Sequence, residues 1–428
     1  MRFLYSAVFY LLLPLVVIRM LWRSRRAPEY RRRLLERFAR FEADIDLARP
    51  AIWVHAVSVG EVLASAPLVE HLLQTYPDHR VVLTTTTPTG SERVQALFGG
   101  RVLHVYLPWD LPGAMRRFVR RIQPRLLLIM ETELWPNMLH YSHAQGCKIL
   151  LANARLSQRS ADGYARFGSF TRQLLAQLDT VACQDQADGQ RFLALGLPAA
   201  ALQVIGSIKL DLQVGDTLRS QAAALRQDFA ADNRPILLAA STHAGEDEQI
   251  LRAFAAVRQS IGNCLLVIVP RHPERFEAVY RLCVDAGWQV VRRSTGPDPG
   301  VQDDIVVGDT MGELRLLLGV ASVAVIGGSL VEHGGHNALE AAAWGVPVVS
   351  GPYMSNFAAI SALLSAAGAM IMLDDPARLG ACLEDLLRNP LRCQQMGRAG
   401  QQVLADNRGA QQRLLALTAS LLIPARDH

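Results

Sequence analysis

The feature that most constrains the fold of this 428-residue chain is an alternation of short apolar segments with amphipathic helical segments from residue 51 onward. Such alternation is typical of parallel β-sheets that helices cover on both faces. The pattern breaks at 209–221, a candidate linker, and a second series follows. We predict two doubly wound α/β domains with ligands bound in a cleft at the carboxyl ends of their strands. The predicted strands are 52–57, 80–86, 101–106, 125–130, 148–152, 180–184, 202–205, 236–240, 264–269, 289–291, 304–307 and 322–326.

The predicted domain boundaries follow from this pattern. Residues 1–49 precede the first strand, 50–212 form the first domain and 213–428 form the second. Half of the residues are hydrophobic, so both domains can bury a full core. Helical patterns close the chain near 355–367, 376–388 and 390–421, and the last of these is a candidate to pack back on the first domain.

A glycine-rich stretch at 327–352 follows the apolar strand predicted at 322–326. Asn337 and Glu340 have the spacing of an N-cap and its capping-box partner, so a helix is predicted to start there. Residues 345–347 end this helix and a second buried strand follows. Strand, glycine loop and helix start together predict an anion site built from backbone N–H groups and the helix dipole. The alternative is an ordinary crossover with a glycine-rich turn.

The N-terminal region is apolar and then basic. Residues 3–22 are almost entirely apolar, and no small-residue cleavage site follows them, which argues against a signal peptide. We predict an uncleaved membrane anchor that either spans the bilayer or lies in its interface, with an arginine collar that keeps the following domain in the cytoplasm. The alternative is a buried N-terminal helix. The collar comprises Arg23, Arg25, Arg26, Arg31, Arg32, Arg33 and Arg37.

Charge and cysteine usage narrow the class further. Residues 1–49 carry eleven arginines and five acidic residues, while the whole chain has a net charge of +5. The basic character therefore belongs to the N-terminus, and it indicates an anionic membrane surface rather than a nucleic acid as partner. The six cysteines stand singly, which argues against a disulfide scaffold and a zinc site and favours a reducing cytoplasm.

Three charged residues follow strands of the first domain. Glu61 is predicted at a helix start, where the dipole would keep it ionised and able to accept a proton. Glu131 follows an apolar strand directly, a position that suits a ligand or a partner charge. Lys209 follows the last predicted strand of the first domain. The chain has two lysines, Lys148 and Lys209, so an ammonium group at this strand end indicates a phosphate contact. Ordinary helix-start chemistry and chance remain the alternatives for these positions.

Donor groups also follow strands of the second domain. Arg271 precedes a proline-initiated helix, a position that suits a phosphate or base contact. His243 and His272 are more typical of loop histidines than of catalysts. Thr310 and Glu313 have N-cap and N3 spacing at a further helix start.

Several long motifs carry a resemblance to a known family. They read HAVSVGE at 55–61, METELWPN at 130–137, NARLS at 153–157, GSIK at 206–209 and PRHPER at 270–275, together with the stretch 327–352. With these motifs the chain resembles the 3-deoxy-D-manno-oct-2-ulosonic acid (Kdo) transferases of Gram-negative bacteria, from the N-terminal anchor to near the C-terminus.

The resemblance implies a GT-B fold and an inverting transfer of Kdo from CMP-Kdo to the lipid A precursor lipid IVA at the inner membrane. It assigns acceptor binding to 50–212 and CMP-sugar binding to 213–428. In the family, the glutamate that matches Glu61 is the general base, and the residues that match Glu131 and Lys209 stabilise the transition state. The CMP contacts correspond to Pro270, Arg271, Met311, Gly312, Glu313, Asn337, Ala338, Leu339 and Glu340, although many relatives carry proline where this chain has Ala338.

The chemistry implied by the resemblance needs no metal. A CMP-sugar has a single phosphate and no pyrophosphate to chelate, and Asp303-Asp304 leads straight into a strand rather than forming a metal-binding pair. We therefore predict neither a metal nor a cofactor, and no nucleic-acid partner. The partners expected are CMP-Kdo, lipid IVA and the anionic inner-membrane surface.

Three alternatives remain at this stage. The first is another membrane-associated GT-B enzyme that uses a UDP-sugar and a lipid acceptor. The second is a dinucleotide-dependent oxidoreductase, which needs a G-x-G-x-x-G motif that residues 58–61 do not provide. The third is a non-catalytic, membrane-anchored nucleotide-binding protein.

Overall fold

A computed structural model describes residues 1–24, 31, 33–41, 49–229, 234–295, 300 and 303–422. The chain forms two compact units. The first comprises Met1–Lys209 and the segment that begins at Gly409, and the second comprises Leu210–Arg408.

The first unit is built on a parallel sheet of seven strands in the order β3-β2-β1-β4-β5-β6-β7. Its central strands are near-continuous runs of buried apolar residues, as expected for a sheet covered on both faces. The strand order reverses between β1 and β4, which are direct neighbours. The strands are β1 Ala51–His55, β2 Arg80–Thr85, β3 Leu103–Tyr106, β4 Pro124–Met130, β5 Lys148–Ala154, β6 Thr180–Cys183 and β7 Leu202–Val204.

Helices cover both faces of this sheet. The C-terminal helix belongs to this unit, because Leu414 is fully buried there and the Arg413 guanidinium donates to the Ile205 carbonyl at 2.7 and 2.9 Å. The helices are α1 Arg2–Arg23, α2 Val59–Thr75, α3 Pro88–Phe98, α4 Pro112–Ile122, α5 Pro136–Ala144, α6 Gln158–Ala165, α7 Gly168–Leu175, α8 Gln186–Ala194 and, at the end of the chain, Ala410–Leu422.

The second unit repeats the architecture with seven parallel strands in the order β10-β11-β9-β8-β12-β13-β14. Here the strand order reverses between β8 and β12. The strands are β8 Ile236–Thr242, β9 Leu265–Pro270, β10 Val290–Arg292, β11 Ile305–Val307, β12 Val323–Ile326, β13 Val348–Ser350 and β14 Met370–Met372. The helices are α9 Asp216–Asp228, α10 Asp247–Ser260, α11 Phe276–Asp285, α12 Leu314–Leu318, α13 Leu339–Trp344, α14 Ala358–Ala366, α15 Leu379–Leu387 and α16 Pro390–Ala405.

The structure corrects the predicted elements at several places. The candidate linker 209–221 contains the start of α9, which begins at Asp216. The helix predicted over 390–421 is two helices, α16 and α17 (Ala410–Leu422), because Gly409 lies between them with φ +82° and ends the helical path. Strand β14 and helices α3, α5 and α6 were not predicted.

The N-terminal segment contains an apolar helix, followed by two arginines that hydrogen-bond to the backbone of the first unit. Within the part of the chain that the structure describes, one helix, Arg2–Trp22, is long and apolar enough to cross a membrane. Two arginines of the predicted collar serve the fold itself. Arg33 donates to the His104 carbonyl at 2.7 Å, and the buried Arg37 donates to the Thr86 carbonyl at 2.6 Å. The predicted collar residues Arg25, Arg26 and Arg32 lie outside the described residues, as does the Arg23 side chain.

Two buried histidines of the first unit make its stability depend on pH. Burial lowers the pKa of His55 and of His104 to about 4, whereas an unfolded histidine titrates near 6.5. The unfolded chain therefore binds more protons between pH 6.5 and 4, so stability is complete above pH 6.5 and is lost as the pH falls. We expect each histidine to cost about 1 kcal/mol of unfolding free energy per pH unit in this window, measured by thermal unfolding at pH 7.5, 6.5 and 5.5.

A variant comparison isolates the histidine contribution, because burial raises the pKa of Asp110 to about 6 and so opposes the trend. His104→Gln should reduce the pH dependence of the melting temperature, whereas the exposed His143→Gln should leave it unchanged. Equal slopes for wild type and His104→Gln would show that His104 binds as many protons in the folded state as in the unfolded state, and would contradict a lowered pKa.

Candidate active site

The first candidate site lies at the end of β1, where the strand order of the first sheet reverses. Ser58 is the N-cap of α2, and its hydroxyl accepts from the Glu61 N–H at 3.4 Å. The Glu61 carboxylate turns back to the strand end, where it accepts from the Val57 N–H and the Ser58 hydroxyl, both at 2.8 Å. The strand end and the helix start therefore fix the position of this carboxylate. Ligands of doubly wound sheets bind at such reversal points.

Glu131 and Lys209 form an ion pair beside the same strand ends. Glu131 follows β4, the neighbour of β1, and Lys209 Nζ lies 2.5 Å from Glu131 Oε1. Glu131 has φ +59°, a left-handed backbone conformation that is strained for a non-glycine residue and concentrates at functional sites. Here it aims the carboxylate out of the strand direction and at the ammonium group.

Asn153 positions the segment that carries Lys209. It is fully buried near the end of β5, and its Oδ1 accepts from the Ile208 N–H at 3.1 Å. Asn153 also has a positive φ of +53°, and the register between β5 and β6 shifts there. The motif 153–157 therefore contributes a positioning residue, whereas Lys209 contributes the charge.

Burial and neighbouring charges determine the proton affinity of Glu61. Burial raises the pKa of Glu61 above its ordinary value, although the hydrogen bonds from Val57 and Ser58 oppose this effect. The negative charge of Glu131 raises the pKa further and the positive charge of Lys209 lowers it. The direction is opposite to the one that the helix dipole alone would give, because desolvation outweighs it. A carboxylate with a raised pKa suits proton abstraction near neutral pH.

Glu133 is a third carboxylate at this site, and it was not among the predicted site residues. Burial raises its pKa, Glu61 and Glu131 raise it further, and the Trp135 indole N–H donates to it at 2.8 Å. These charges place Glu61, Glu131 and Glu133 within electrostatic reach of one another. The signal in the sequence was the second glutamate of the Glu131-Thr132-Glu133 motif directly after a buried strand.

The second candidate site lies between β8 and β12, where the order of the second sheet reverses. The glycine-rich loop after β12 was predicted to offer free N–H groups to a ligand, and this prediction is wrong for its first part. The fully buried Glu246 accepts from the N–H groups of Gly328, Ser329 and Leu330 at 2.7, 3.0 and 2.9 Å. An internal carboxylate thus occupies the position that was assigned to a phosphate.

Glycine is required at the start of this loop because two backbones meet there. A Cβ atom at Gly327 would lie 2.2 Å from the Ser241 carbonyl oxygen, which no side chain can accommodate. Ser241 itself has φ +59° at the end of β8. The loop glycines therefore allow close packing of strand ends, and Glu246 satisfies the backbone groups that this packing exposes.

The helix predicted to start at Asn337 begins slightly later. Ala338 is the N-cap of α13, and Asn337 still caps the first turn because its Oδ1 accepts from the Leu339 N–H at 3.1 Å. Among the described residues, none accepts from the backbone N–H groups of Asn337 and Ala338. The donors that remain open in this motif lie at its helix start rather than in its glycine turn. Gly345 ends α13 with φ +73°, and β13 follows, as predicted.

Arg271 lies near the start of α13 and is part of the second candidate site. Its side chain is exposed at the end of β9, directly after the buried Pro270, and no described side chain pairs with its guanidinium. Its charge lowers the pKa of His336 and opposes the rise that burial causes in the pKa of Glu340. The structure thus brings Arg271 close to the 336–340 segment, as a shared anion site requires. Arg275 of the same motif instead pairs with the buried Asp247 and supports the fold.

Four histidines gather beside Arg271. His243 Nε2 lies 2.8 Å from His336 Nε2, and the His333 and His272 ring centroids lie 4.2 and 5.5 Å from that of His243. Burial lowers the pKa of His243 and of His336 to about 4, so both are neutral imidazoles at physiological pH. The sequence did not reveal this cluster, although His243 and His272 follow the neighbouring strands β8 and β9.

The turn at 310–313 precedes a helix instead of forming its first turn. Helix α12 begins at Leu314, Gly312 has φ +90°, and the exposed Met311 lies at the tip of the turn. The Thr310 hydroxyl donates to Glu313, which also pairs with Arg293 at 3.3 Å. Gly312 and Glu313 line an open cavity of about 720 Å³ together with Arg293, Arg315 and residues of α9.

Arg315 connects this turn with α13. Its charge acts on Glu340, and its carbonyl accepts from the Trp344 indole N–H at 2.6 Å. The predicted contacts at 270–271, 311–313 and 337–340 therefore lie in one region of the second unit. None of the described residues forms a group of three or more His, Cys, Asp or Glu side chains that could hold a metal ion.

Comparison with known proteins decides the family. The sequence pattern of the family described as 3-Deoxy-D-manno-octulosonic-acid transferase (kdotransferase) matches residues 32–212. The chain is 43% identical over 418 residues to the 3-deoxy-D-manno-octulosonic acid transferase of Haemophilus influenzae, and the alignment covers 97% of both proteins. The chain belongs to the Kdo transferase family. Its identity to the enzyme of the same description from Bordetella pertussis is 38% over 419 residues, which cover 94% of this chain and 95% of that protein.

Membership in the Kdo transferase family makes the chain a glycosyltransferase. The predicted resemblance and the predicted GT-B class are confirmed, with two seven-stranded parallel sheets and one apolar N-terminal helix. A solved glycosyltransferase from Rickettsia africae has the same fold, with a TM-score of 0.52 at 12% identity over 88% of this chain and 100% of that one. The family pattern at 32–212 includes Glu61, Glu131 and Lys209, whereas the second-unit residues fall within the alignment to the Haemophilus influenzae enzyme.

Proposed function

We propose that this Kdo transferase moves Kdo from CMP-Kdo to the lipid A precursor lipid IVA with inversion at the anomeric carbon. The observation that carries the proposal is the constellation at the strand-order reversal of the first sheet. There a buried carboxylate with a raised pKa, Glu61, is accompanied by the Glu131–Lys209 ion pair. Inverting transfer needs one base on the acceptor side, and Glu61 suits that role.

The proposed reaction uses the first-unit groups as follows. Glu61 takes the proton of the attacking hydroxyl of lipid IVA as its oxygen forms the bond to the anomeric carbon of Kdo. The bond between that carbon and the CMP phosphate oxygen breaks at the same time, and CMP leaves with the electron pair. The anomeric carbon passes through an oxocarbenium-like state. Lys209, positioned by its ion pair with Glu131, stabilises the negative charge that develops on the departing phosphate.

We assign donor binding to the second unit. The N–H groups of Asn337 and Ala338 and the guanidinium of Arg271, for which the described part of the chain offers no hydrogen-bond or ion-pair partner, are groups that bind a phosphate. Leu339 and Glu340 complete this helix start, and Pro270 shapes the turn that carries Arg271. Met311, Gly312 and Glu313 are the further proposed CMP contacts, and the cavity beside Gly312 and Glu313 leaves room for part of a nucleotide.

The proposed cofactor requirement and location follow from the substrates. The leaving group carries one phosphate, and arginine, lysine and backbone donors can neutralise it, so we propose catalysis without a metal or another cofactor. Lipid IVA remains in a bilayer, so we propose that the protein acts at the cytoplasmic side of the inner membrane with α1 as its anchor. Anionic lipid is the expected surface, because the N-terminal region is rich in arginine.

The direct test is incubation of the purified full-length protein with CMP-Kdo and lipid IVA, with the products resolved by mass spectrometry. We expect lipid IVA to gain the mass of at least one Kdo residue, with release of an equivalent amount of CMP. CMP should compete with the donor, and UDP at the same concentration should not. Competition by UDP, or the absence of both CMP release and mass gain, would refute the proposed donor and acceptor.

A further inference from the structure

One side of helix α1 packs against the rest of the first unit in its N-terminal half, where Arg2 and Ser6 contact Asn137 and where Phe9 and Leu13 pack against the hydrophobic core. The side chains on that side are buried or half-buried and recur every three or four residues, the spacing of one face of an α-helix. These residues are Arg2, Tyr5, Ser6, Phe9, Leu13, Val17, Met20 and, just beyond the helix, Ser24. At about 1.5 Å per residue, the part of this side that contacts the rest of the unit, from Arg2 to Leu13, extends over about 17 Å.

A buried amide fixes the N-terminal end of this helix. Asn137, in the first turn of α5, is fully buried, and its Nδ2 donates to the Ser6 hydroxyl at 3.1 Å and to the Asp110 carbonyl at 2.7 Å. The Arg2 guanidinium donates to Asn137 Oδ1 at 3.0 Å. Phe9 and Leu13 pack against the hydrophobic core on the same face of the sheet. The helix is therefore bound to the unit by both polar and apolar contacts.

Described residues beyond the end of the helix also contact the same unit. Ser24, just after α1, is 4% exposed. Within the following segment, Arg33 donates to the His104 carbonyl at 2.7 Å, and Glu36 accepts from the Tyr106 N–H at 2.7 Å. The N-terminal half of α1 thus lies against the rest of the first unit.

The opposite side of α1 is apolar and exposed. Its most exposed side chains, between 61 and 79% accessible, repeat at helical spacing from one end of the helix to the other. They are Leu4, Leu11, Leu15, Ile18 and Trp22. Among the described side chains of this helix, Arg19 is the one charged group that is exposed. Monomeric proteins rarely expose a continuous apolar surface of this length, so a partner is required.

The geometry excludes a helix that crosses the bilayer freely. If α1 stood along the membrane normal, the surface of the first unit that covers its inner face would enter the hydrocarbon together with Asp110, Asn137 and the Arg2 guanidinium. Such polar groups are costly in lipid. A helix that lies in the membrane plane keeps this inner face on the protein and buries only its outer face.

We propose that α1 lies in the plane of the membrane interface, with its outer side in the acyl region, and does not span the bilayer. The occupant of the apolar surface is a bilayer with anionic head groups. Charge supports this choice, because α4 covers the same face of the sheet and exposes Arg116, Arg117 and Arg120 without an acidic residue. Trp22 at one end of the outer side is a residue type that prefers the interface.

This orientation places the membrane next to the candidate active site. The loop that contains Glu131 and Glu133 continues directly into α5, and Asn137 of α5 binds α1. An interfacial α1 would hold this strand end at the depth of a lipid head group. The inference rests on the proposed membrane association but not on the proposed transfer chemistry.

Spin-label depth measurements test the orientation. The full-length protein carries Cys382→Ala and Cys393→Ala, which remove the two half-buried thiols, and a nitroxide at Leu4→Cys, Leu11→Cys or Ile18→Cys. Each variant is bound to vesicles of phosphatidylethanolamine and phosphatidylglycerol. We expect similar depths at all three positions, roughly 5–10 Å below the head groups. The oxygen and nickel-chelate accessibilities of the label measure this depth.

The other outcomes overturn the proposal. A spanning helix would place Leu11 deepest, with Leu4 and Ile18 each about 10 Å closer to opposite surfaces. Labels that stay in water, or that are shielded by a second copy of the chain, would exclude a lipid contact. An active protein with a spanning profile would refute the orientation alone. An inactive protein with equal depths would refute the transfer chemistry alone.

A charge substitution provides an independent measurement. The double variant Leu11→Asp/Leu15→Asp should reduce flotation with the same vesicles at least tenfold. The control is Leu391→Asp, because Leu391 is an equally exposed leucine, 73% accessible, in α16 of the second unit. Equal flotation of the double variant and wild type would contradict the proposed contact.

Discussion

The Glu61→Gln variant is expected to lose between about 10²- and 10⁴-fold in kcat, while its affinity for CMP stays at the wild-type value. Glutamine keeps the shape of the side chain and an oxygen that accepts from the Val57 N–H, so the strand end and the start of α2 are preserved. It cannot take a proton from the acceptor hydroxyl. The CMP-binding groups proposed here belong to the second unit, so binding measured by calorimetry should be unaffected.

Glu70→Gln is the matched control for this prediction. Glu70 lies in the same helix, α2, but its side chain is 40% exposed and pairs with Arg101. Its replacement should leave kcat within twofold of wild type, since exposed ion pairs contribute about 0–1 kcal/mol to stability. If Glu61→Gln loses CMP affinity and turnover together, Glu61 has a structural role instead of a catalytic one.

The pH dependence of kcat/KM tests the general-base role of Glu61 in a second way. A general base is active when it is deprotonated, so activity is lost as the pH falls through its pKa. Burial raises the pKa of Glu61, so the acid limb of kcat/KM should lie above the usual range of a glutamate. The residual activity of Glu61→Gln should no longer show that limb.

The strand pattern of both units was predictable because their central strands are buried on both faces. β4 and β9 are continuous apolar runs, and such runs cannot be placed elsewhere in a soluble domain. The edge strand β14 has three residues and was missed, although the equally short edge strands β7 and β10 were predicted, so a three-residue strand gives a pattern too weak to be identified reliably. The α16–α17 boundary depends on Gly409, whose left-handed backbone is a property of the folded chain.

The candidate site was predictable in position but not in electrostatics. The pattern of strand, glycine and helix start located Glu61, and the strand ends located Glu131 and Lys209. The helix dipole suggested a readily ionised Glu61, whereas burial, a tertiary property, raises the pKa of this carboxylate. The local sequence does not show how strongly a carboxylate is desolvated in the folded protein.

The glycine-rich loop is a second case in which a tertiary contact changed the site that the local sequence predicted. From sequence, the N–H groups of Gly328, Ser329 and Leu330 looked available to a phosphate. The carboxylate that occupies them, Glu246, lies more than eighty residues earlier and reaches the loop because β8 and β12 are neighbours. The strand order, which the sequence did not predict, therefore leaves only the helix start of the predicted anion site, with the N–H groups of Asn337 and Ala338, as the proposed phosphate donors.

The Lys209→Met variant is expected to lose about 10²- to 10³-fold in kcat, the usual cost of removing one group that stabilises transition-state charge. Methionine fills a similar volume with a flexible apolar chain but cannot meet the charge of the departing phosphate. The control is Lys148→Met, which removes the other lysine of the chain. Lys148 is exposed and pairs with Asp179 at 2.8 Å on the surface, so its loss should leave kcat near the wild-type value.

A second effect distinguishes an electrostatic role for Lys209 from a structural one. The charge of Lys209 lowers the pKa of Glu61, and that of Glu131 raises it. Without Lys209 the pKa of Glu61 must rise, so the acid limb of kcat/KM should move to higher pH. Adding Glu131→Gln removes the opposing negative charge and should return the limb toward the wild-type position, while kcat stays low because the positive charge is still missing. A limb that does not move in Lys209→Met would mean that Lys209 acts on Glu61 only through the fold.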